Sequence, residues 1–309
     1  MNTVQDLGRF GHRRDGVNPG GAMDSASLRI LNTLLGNREN EAAIELHFPA
    51  GEIVFSSPCT FGLAGADFDS HLDGIPLSTW KTHSAQEGSV LTFAKRVHGH
   101  RAYLGTAGGF DIPAWLGSKS TNLAIGIGGS HGRPIIAGDC IELNDTNSPA
   151  QPLGLAAGHS VIAPFGSSPL IRIVCGPESP FLTPLSTEAL LTGRYRISND
   201  SNRMGYRLEG EPLFLFERVE MISTAVDFGT IQLLPNGQPV ILMADHQTTG
   251  GYPRIGQVIR RDLPVLGQLA AGDEVSFELV SVADAERIDF EFERQLLFLK
   301  AGRRLKIGE

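Results

Sequence analysis

The chain has 309 residues and a net charge of −8, from 26 Lys+Arg against 34 Asp+Glu. Hydrophobic residues make up 41% and charged residues 19%, which allows a real core and argues against wholesale disorder. A net acidic chain without a basic run suits no phosphate backbone, no apolar stretch approaches the roughly 18–20 residues that span a bilayer, and the polar segment Met1–Arg14 lacks a signal-peptide core; nucleic-acid, membrane and secretory roles are therefore set aside.

The 37 glycines and 18 prolines are spread along the chain, which favours many short strands joined by turns over a helical bundle. The first clear element is a helix. Asp24 can cap it, Leu28, Leu31 and Leu35 form one stripe, and Gly36 stops it. Met23 and Leu28 stand at hydrophobic-staple spacing. Strands are expected at 43–47, 52–55, 60–64, 89–94, 101–105 and 169–175. Gly229–Leu234 and Gln238–Ala244 flank Pro235, Asn236 and Gly237, a hairpin signal because Asn-Gly accepts the positive φ of a tight turn. Val275, Phe277 and Leu279 alternate with Ser276 and Glu278, as in a half-buried strand. A last helix is expected over 282–300, with Ala285, Ile288, Phe292 and Leu299 inward. Its Phe290, Leu296, Leu297 and Phe298 widen the apolar face, either as further core or as a partner surface.

Two passages repeat. GHRAYLGTAGG (99–109) and GQPVILMADHQTTGG (237–251) share a plan, as do AGDCIEL (137–143) and AGDEVSFEL (271–279). The Gly-Gly pairs at 108 and 250 are 142 residues apart and the Ala-Gly-Asp triplets at 137 and 271 are 134 apart, a loop-sized difference. The expected organisation is two related β-barrel domains, 1–155 and 156–309. Their junction falls near Ser148–Ser168, where Pro, Gly, Ser and Ala concentrate. The fold class is mainly β with a few helices.

Cys59, Cys140 and Cys175 are neither a disulfide framework nor a CxxC site, which fits the cytoplasm; each reads as a small strand residue or, alternatively, a catalytic thiol. GSKST (117–121) only imitates the tail of a phosphate-binding loop, because its upstream glycine is misplaced. Dinucleotide-fold, HExxH and GxSxG motifs are absent, and His98 and His100 lack a third metal ligand. Three segments are more polar and glycine-rich than packing requires. The first, from Thr3 through Asp6, Arg9 and Gly20 to Asp24, is either an anion cradle or a long turn before the capped helix. In the second, 201–207, Arg203 and Arg207 around Gly205 either clamp an anion or form a solvated strand edge. In the third, 245–252, Asp245 suits a base or positioner, and Gln247 and Thr248 suit a planar amide or carboxylate, unless they are turn residues.

TVQDLGRFG (3–11), GVNPGGAMD (16–24), LLGN (34–37), GSKST (117–121), SNRMGYRL (201–208), GTIQLLPNGQPVILMADHQTTGGYPRIG (229–256) and AGDEVSF (271–277) resemble the biotin-dependent carboxyltransferase family. Its members are also labelled allophanate hydrolase subunit 2, KipI antagonist or the C component of 5-oxoprolinase. The resemblance covers essentially the whole chain. It implies a tandem of cyclophilin-like β-barrels, a KipI-like B component and a lactam-hydrolysing A component as partners. Family members usually carry about ten residues before TVQD that form a first β-strand; here either the start of the chain is assigned late or that strand is absent, and the second alternative would bear on the stability of the N-terminal barrel.

The implied function is that of the C component of an ATP-dependent 5-oxoprolinase, which opens 5-oxo-L-proline to L-glutamate. The alternatives are carboxyl transfer from biotin, carried by another protein, to a urea-like amide, and a non-enzymatic regulator that binds a KipI-like kinase inhibitor. On the matched motifs, Asp245, Gln247 and Tyr252 are assigned to the reacting site. Asp6, Arg9, Asp24, Arg203, Arg207 and Thr248 are assigned to substrate or anion binding. Position 246 varies in the family, so His246 is given no chemistry. The three segments are expected to converge on one concave surface. No metal is expected, and the ATP site is not located.

Overall fold

The computed structural model describes residues 1–144, 154–158, 160–163, 165–217 and 221–307. It divides into two compact units. Unit 1 comprises Met1–Arg9, Gly20–Pro164 and Glu291–Glu309, and unit 2 comprises Phe10–Pro19 and Phe165–Phe290. The junction expected at 148–168 lies partly outside the described residues.

In unit 1 the strands are β1 (Thr3–Gln5), β2 (Ala43–Leu46), β3 (Ile53–Val54), β4 (Cys59–Asp67), β5 (Ser70–Leu72), β6 (Ile75–Pro76), β7 (Lys81–Ala85), β8 (Val90–Phe93) and β9 (His98–Thr106). They form a five-stranded sheet in the order β1-β2-β9-β4-β7 and a four-stranded sheet in the order β3-β8-β5-β6. Both sheets contribute to one apolar core that includes Val4, Ile44, Phe61, Phe68, Leu91 and Leu104. Helix α1 (Ser25–Leu35) lies on the larger sheet. The Asp24 carboxylate accepts from Ser27 N at 2.8 Å, and Gly36 closes the helix at φ +79. The helix approaches so closely that a Cβ at Gly62 would stand 2.8 Å from a Leu31 methyl, and one at Gly105 3.1 Å from a Leu35 methyl. The leucine stripe read from the sequence is therefore the packing face, and two strand glycines make room for it.

In unit 2 the strands are β10 (Leu170–Cys175), β11 (Tyr195–Ile197), β12 (Gly205–Glu209), β13 (Thr224–Ala225), β14 (Thr230–Leu233), β15 (Pro239–Leu242), β16 (Thr249–Gly250), β17 (Arg254–Val258) and β18 (Glu274–Leu279). Seven of them close a barrel in the order β10-β17-β14-β15-β12-β11-β18, and β13 pairs with β16. Every barrel pairing is antiparallel except β10 with β18. Tyr206 and Leu208 are buried while Arg207 between them is exposed, so strand alternation sorts the residues of β12 between core and outer face. Helices α2 (Pro184–Thr192) and α3 (Leu263–Gly267) belong to this unit.

The mainly β class with a few helices is what the chain adopts, including a closed barrel. The Asn-Gly hairpin joins β14 to β15, with Gly237 at φ +80 donating to Leu234 O at 2.9 Å. The last helix, α4 (Val282–Ile307), runs past its expected end at 300. Its continuation, AGRRLKI, contains good helix formers and places cations at the negative end of the helix dipole. The two Ala-Gly-Asp triplets fold alike. Asp139 accepts from Ile136 N at 3.0 Å and Asp273 from Ala270 N at 2.9 Å, and the glycines stand at φ +90 and +93. Among the described residues no helix is long and apolar enough to cross a membrane.

Candidate functional site

In unit 1, the residues assigned from sequence are turned inward. Asp6 is 2% exposed, Arg9 1% and Asp24 1%. The Asp6 carboxylate accepts from Ser118 Oγ at 2.7 Å, Ser120 Oγ at 2.6 Å, Lys119 N at 2.7 Å and Gly8 N at 2.7 Å. Arg9 donates to Ser120 O and lies 5.0 Å from the Trp115 ring centre. Asp24 is occupied as the helix cap, and its N–H donates to Tyr103 Oη at 2.8 Å. Lys119 donates from Nζ to Glu41 at 2.7 Å and to Phe110 O at 2.9 Å. With both serine hydroxyls and the lysine engaged this way, 117–121 does not fit a nucleotide phosphate. It is a cage around a buried carboxylate.

In unit 2, the segments 201–207 and 245–252 meet, and they separate the two arginines. Arg203 is 7% exposed and grips Asp245 with both arms of its fork, at 2.8 and 3.1 Å. Asp245 N also donates to Arg203 O at 2.8 Å. A bidentate, largely desolvated pair of this kind fixes the two loops to each other. Thr248 holds Val226 N through its carbonyl at 3.2 Å. His246 is 1% exposed, and burial holds its imidazole below its ordinary pKa despite the Asp227 carboxylate 3.8 Å away.

Arg207 is free of these pairings. Among the described residues its guanidinium has no ion-pair partner, and it walls an open cavity of about 230 Å³ together with Gln232, Gln247 and Tyr252. The cavity lies on the outer face of the barrel. Cα pairing sets Arg207 beside Val240 and Val240 beside Gln232, so three neighbouring strands present a cation, an apolar floor and an amide in one row. Gly205, paired with Leu242 in the next row, leaves the floor open. Asp200, Asn202 and Met204 complete the wall on one side. Gln247 Nε2 lies 3.5 Å from Gln232 Oε1, and Gln232 Nε2 lies 3.4 Å from Tyr252 O. The arrangement offers a carboxylate-binding cation, two amides and a phenol above an apolar base. That set suits a small planar amide bearing an acid group. Sequence reasoning missed Gln232. Its signal was an amide between Ile231 and Leu233 in the strand before the Asn-Gly turn.

A second cavity of about 270 Å³ is lined by Arg13, Cys175, Asp227, Thr230, Arg254 and Gln257, among others. Its arginines are engaged: Arg13 with Asp227 at 3.2 Å, and Arg254 with Glu178 at 2.8 Å through both arms. Cys175 and Cys140 are exposed, whereas burial pushes the Cys59 thiol up to about 11.

Residues 15–279 match the family described as carboxyltransferase domain, subdomain A and B. The chain is 38% identical over 286 residues to a Haemophilus influenzae protein named as a subunit of 5-oxoprolinase, its C component, covering 93% of this chain and 90% of that one. It is 37% identical over 287 residues to the Escherichia coli protein of the same name, covering 92% and 89%. Similarity to the urea amidolyase of Saccharomyces cerevisiae is 33% over 291 residues, covering 89% of this chain but 16% of that one. Of solved structures, the Kluyveromyces lactis urea carboxylase matches with a TM-score of 0.89 at 27% identity, over 98% of this chain and 28% of that chain. The urea amidolyase of the same yeast also reaches 0.89 at 27% identity, over 96% of this chain and 19% of that chain. The chain thus spans nearly the full length of the two 5-oxoprolinase components and less than a third of the urea enzymes. By these matches it belongs to the carboxyltransferase domain family of subdomains A and B.

Proposed function

We propose that this chain is the C component of an ATP-dependent 5-oxoprolinase, a cytoplasmic complex with a KipI-like B component and a lactam-hydrolase-like A component. The observation that carries this reading is length. Relatives named as the 5-oxoprolinase C component are matched over 90% and 89% of their own chains, whereas the urea amidolyase is matched over 16%.

The Arg207 cavity supports the substrate. 5-Oxo-L-proline is a five-membered lactam with a carboxylate beside the ring nitrogen. Arg207 would hold the carboxylate. Gln232 and Gln247 would hydrogen-bond the lactam N–H and C=O, and Tyr252 would reach the same ring edge. Arg203 and Asp245 act as a positioning pair that fixes the loops on either side, with Thr248 holding its end of the second loop. Asp6, Arg9 and Asp24 serve unit 1 from its interior. Opening the ring adds water across the amide C–N bond and yields the amine and the second carboxylate of glutamate. The ring amide is unstrained and resists hydrolysis, so the reaction is coupled to ATP. The nucleotide would be held by the assembled complex and not by the loop at 117–121.

The close fold match to urea carboxylase favours one rival, carboxyl transfer from a biotin carried on another protein to a urea-like amide. Co-expression with the neighbouring B-like and A-like proteins decides between them. Glutamate release from 5-oxoproline that requires ATP and all three chains is the expected result. An assembled complex that leaves 5-oxoproline untouched, but carboxylates urea once a carrier already loaded with carboxybiotin is added, returning free biotin on the carrier, overturns the proposal.

A further inference from the structure

Helix α4 carries two apolar stripes. At about 100° per residue, Ala285, Ile288, Phe292, Leu296 and Leu299 fall on one side. Phe292 and Leu296 there are buried, at 5% and 1% exposure. Phe290, Leu297, Phe298 and Leu305 fall on the opposite side and are 70%, 62%, 66% and 81% exposed. Ala283 and Ala301 lie among them and are exposed too. Phe290, Leu297, Ala301 and Leu305 follow one another at steps of seven and four, the spacing of a helix–helix seam, with Arg294 between the first two held by Glu291 and laid over the Phe298 ring. One stripe serves the core. The second is a large apolar surface left in water.

The charges along the helix indicate what covers it. Asp284, Asp289, Glu291 and Glu293 are already paired with Arg287, Arg260, Arg294 and Arg29, and Lys300 with Glu39, so these charges are spent within the chain. Glu286 and Arg304 sit on the same edge of the exposed stripe and bracket Leu297 along the helix. Neither has an ion-pair partner among the described residues. They are 18 residues apart, about 27 Å along the axis. An antiparallel copy of the same helix would bring Glu286 to Arg304 at both ends, and a parallel copy would set Glu286 beside Glu286 and Arg304 beside Arg304.

We propose that the exposed stripe of α4 docks a second copy of this chain, the two helices antiparallel about a two-fold axis near Leu297. The contact is isologous. Leu297 packs near the axis, Phe290 of each copy approaches the Ala301–Leu305 region of the other, and Glu286 pairs with Arg304 of the second copy at both ends. The inference stands on the helix alone and does not depend on the oxoprolinase reading.

The test is the mass of the full chain purified alone, by sedimentation and light scattering from about 1 to 100 µM at low salt. A concentration-dependent dimer is expected, weakening as salt rises. Leu297→Glu replaces an exposed side chain, so its circular dichroism and melting stay normal while dimerisation weakens at least about 100-fold. Glu286→Arg and Arg304→Glu each weaken the dimer, and the two together restore it. A chain that stays monomeric throughout, a dimer indifferent to Leu297→Glu, or a double charge reversal that fails to restore pairing overturns the proposal. So does a chain that is monomeric alone and uses the stripe only to bind the KipI-like protein.

Discussion

Arg203 and Arg207 read alike in the sequence, two arginines around a glycine, yet they do different work. Arg203 is committed to Asp245, and Arg207 stands free in the cavity wall. Spacing along one strand cannot show this, because the residue that claims Arg203 lies 42 positions away. Their substitutions should separate accordingly. Arg203→Ala leaves the Asp245 carboxylate largely desolvated without its partner, which costs about 3–5 kcal/mol and shows as a large fall in melting temperature. Arg207→Ala leaves melting nearly unchanged, since its head is in solvent. In the assembled complex it lowers kcat/KM for 5-oxoproline about 100-fold, roughly 2.7 kcal/mol. Near-normal turnover with Arg207→Ala would return that arginine to a solvated strand edge. His246, given no chemistry from the sequence, has a stability role instead. Burial lowers its pKa in the folded chain, so between the folded value and the unfolded value of about 6.5 the unfolded state binds more protons. Its contribution is complete above about pH 6.5 and is lost as pH falls through the folded pKa. Denaturant titrations from neutral to mildly acid pH should show stability falling in that window, and His246→Gln should flatten this part of the curve. An unchanged slope would exclude His246 as the cause.

Elements with local signals were legible. Helix α1 matches its predicted cap, stripe and stop, because all three depend on neighbours within the helix or one residue beyond it. The Asn-Gly hairpin and the strand cores were legible for the same reason. What escaped reading was made by long-range contact. GSKST looks like a degraded phosphate loop, but its two serine hydroxyls and one N–H serve Asp6, more than 110 residues earlier. Likewise Gln232 looks like a misplaced polar residue in a strand until the Cα pairing sets it two strands from Arg207. Two substitutions contrast these kinds of element. Asp24→Ala removes a cap that is local and satisfied, and should cost about 1 kcal/mol, read as a modest shift in urea midpoint at unchanged m. Asp6→Ala strips the acceptor from two hydroxyls and two N–H groups in the interior, and should cost several times as much. Equal losses from the two would mean that solvent reaches the cage and replaces the carboxylate.

At the scale of the molecule, composition reports one junction, whereas the compact units also take in short segments from elsewhere. Phe10–Pro19 belongs with unit 2 and Glu291–Glu309 with unit 1, and nothing in their composition marks it. Arg13 shows the physical tie: its side chain reaches Asp227 and the Val226 carbonyl, more than 200 residues on within the same unit. Assembly with other chains is a further step that one sequence signals only weakly, through apolar residues beyond what its own core uses. If the chain is the C component of a 5-oxoprolinase, it should co-elute with a co-expressed KipI-like protein as a stable complex, through an interface of at least ~1,200 Å². Light scattering distinguishes this from self-association, since a heteromeric complex has a mass that includes the KipI-like partner and a dimer does not. The Leu297→Glu variant makes the two contacts separable: it should lose the homodimer yet still co-elute with the KipI-like chain in an active complex. Failure of the unmodified chain to bind that protein at all would remove the 5-oxoprolinase reading, whatever the fate of the dimer.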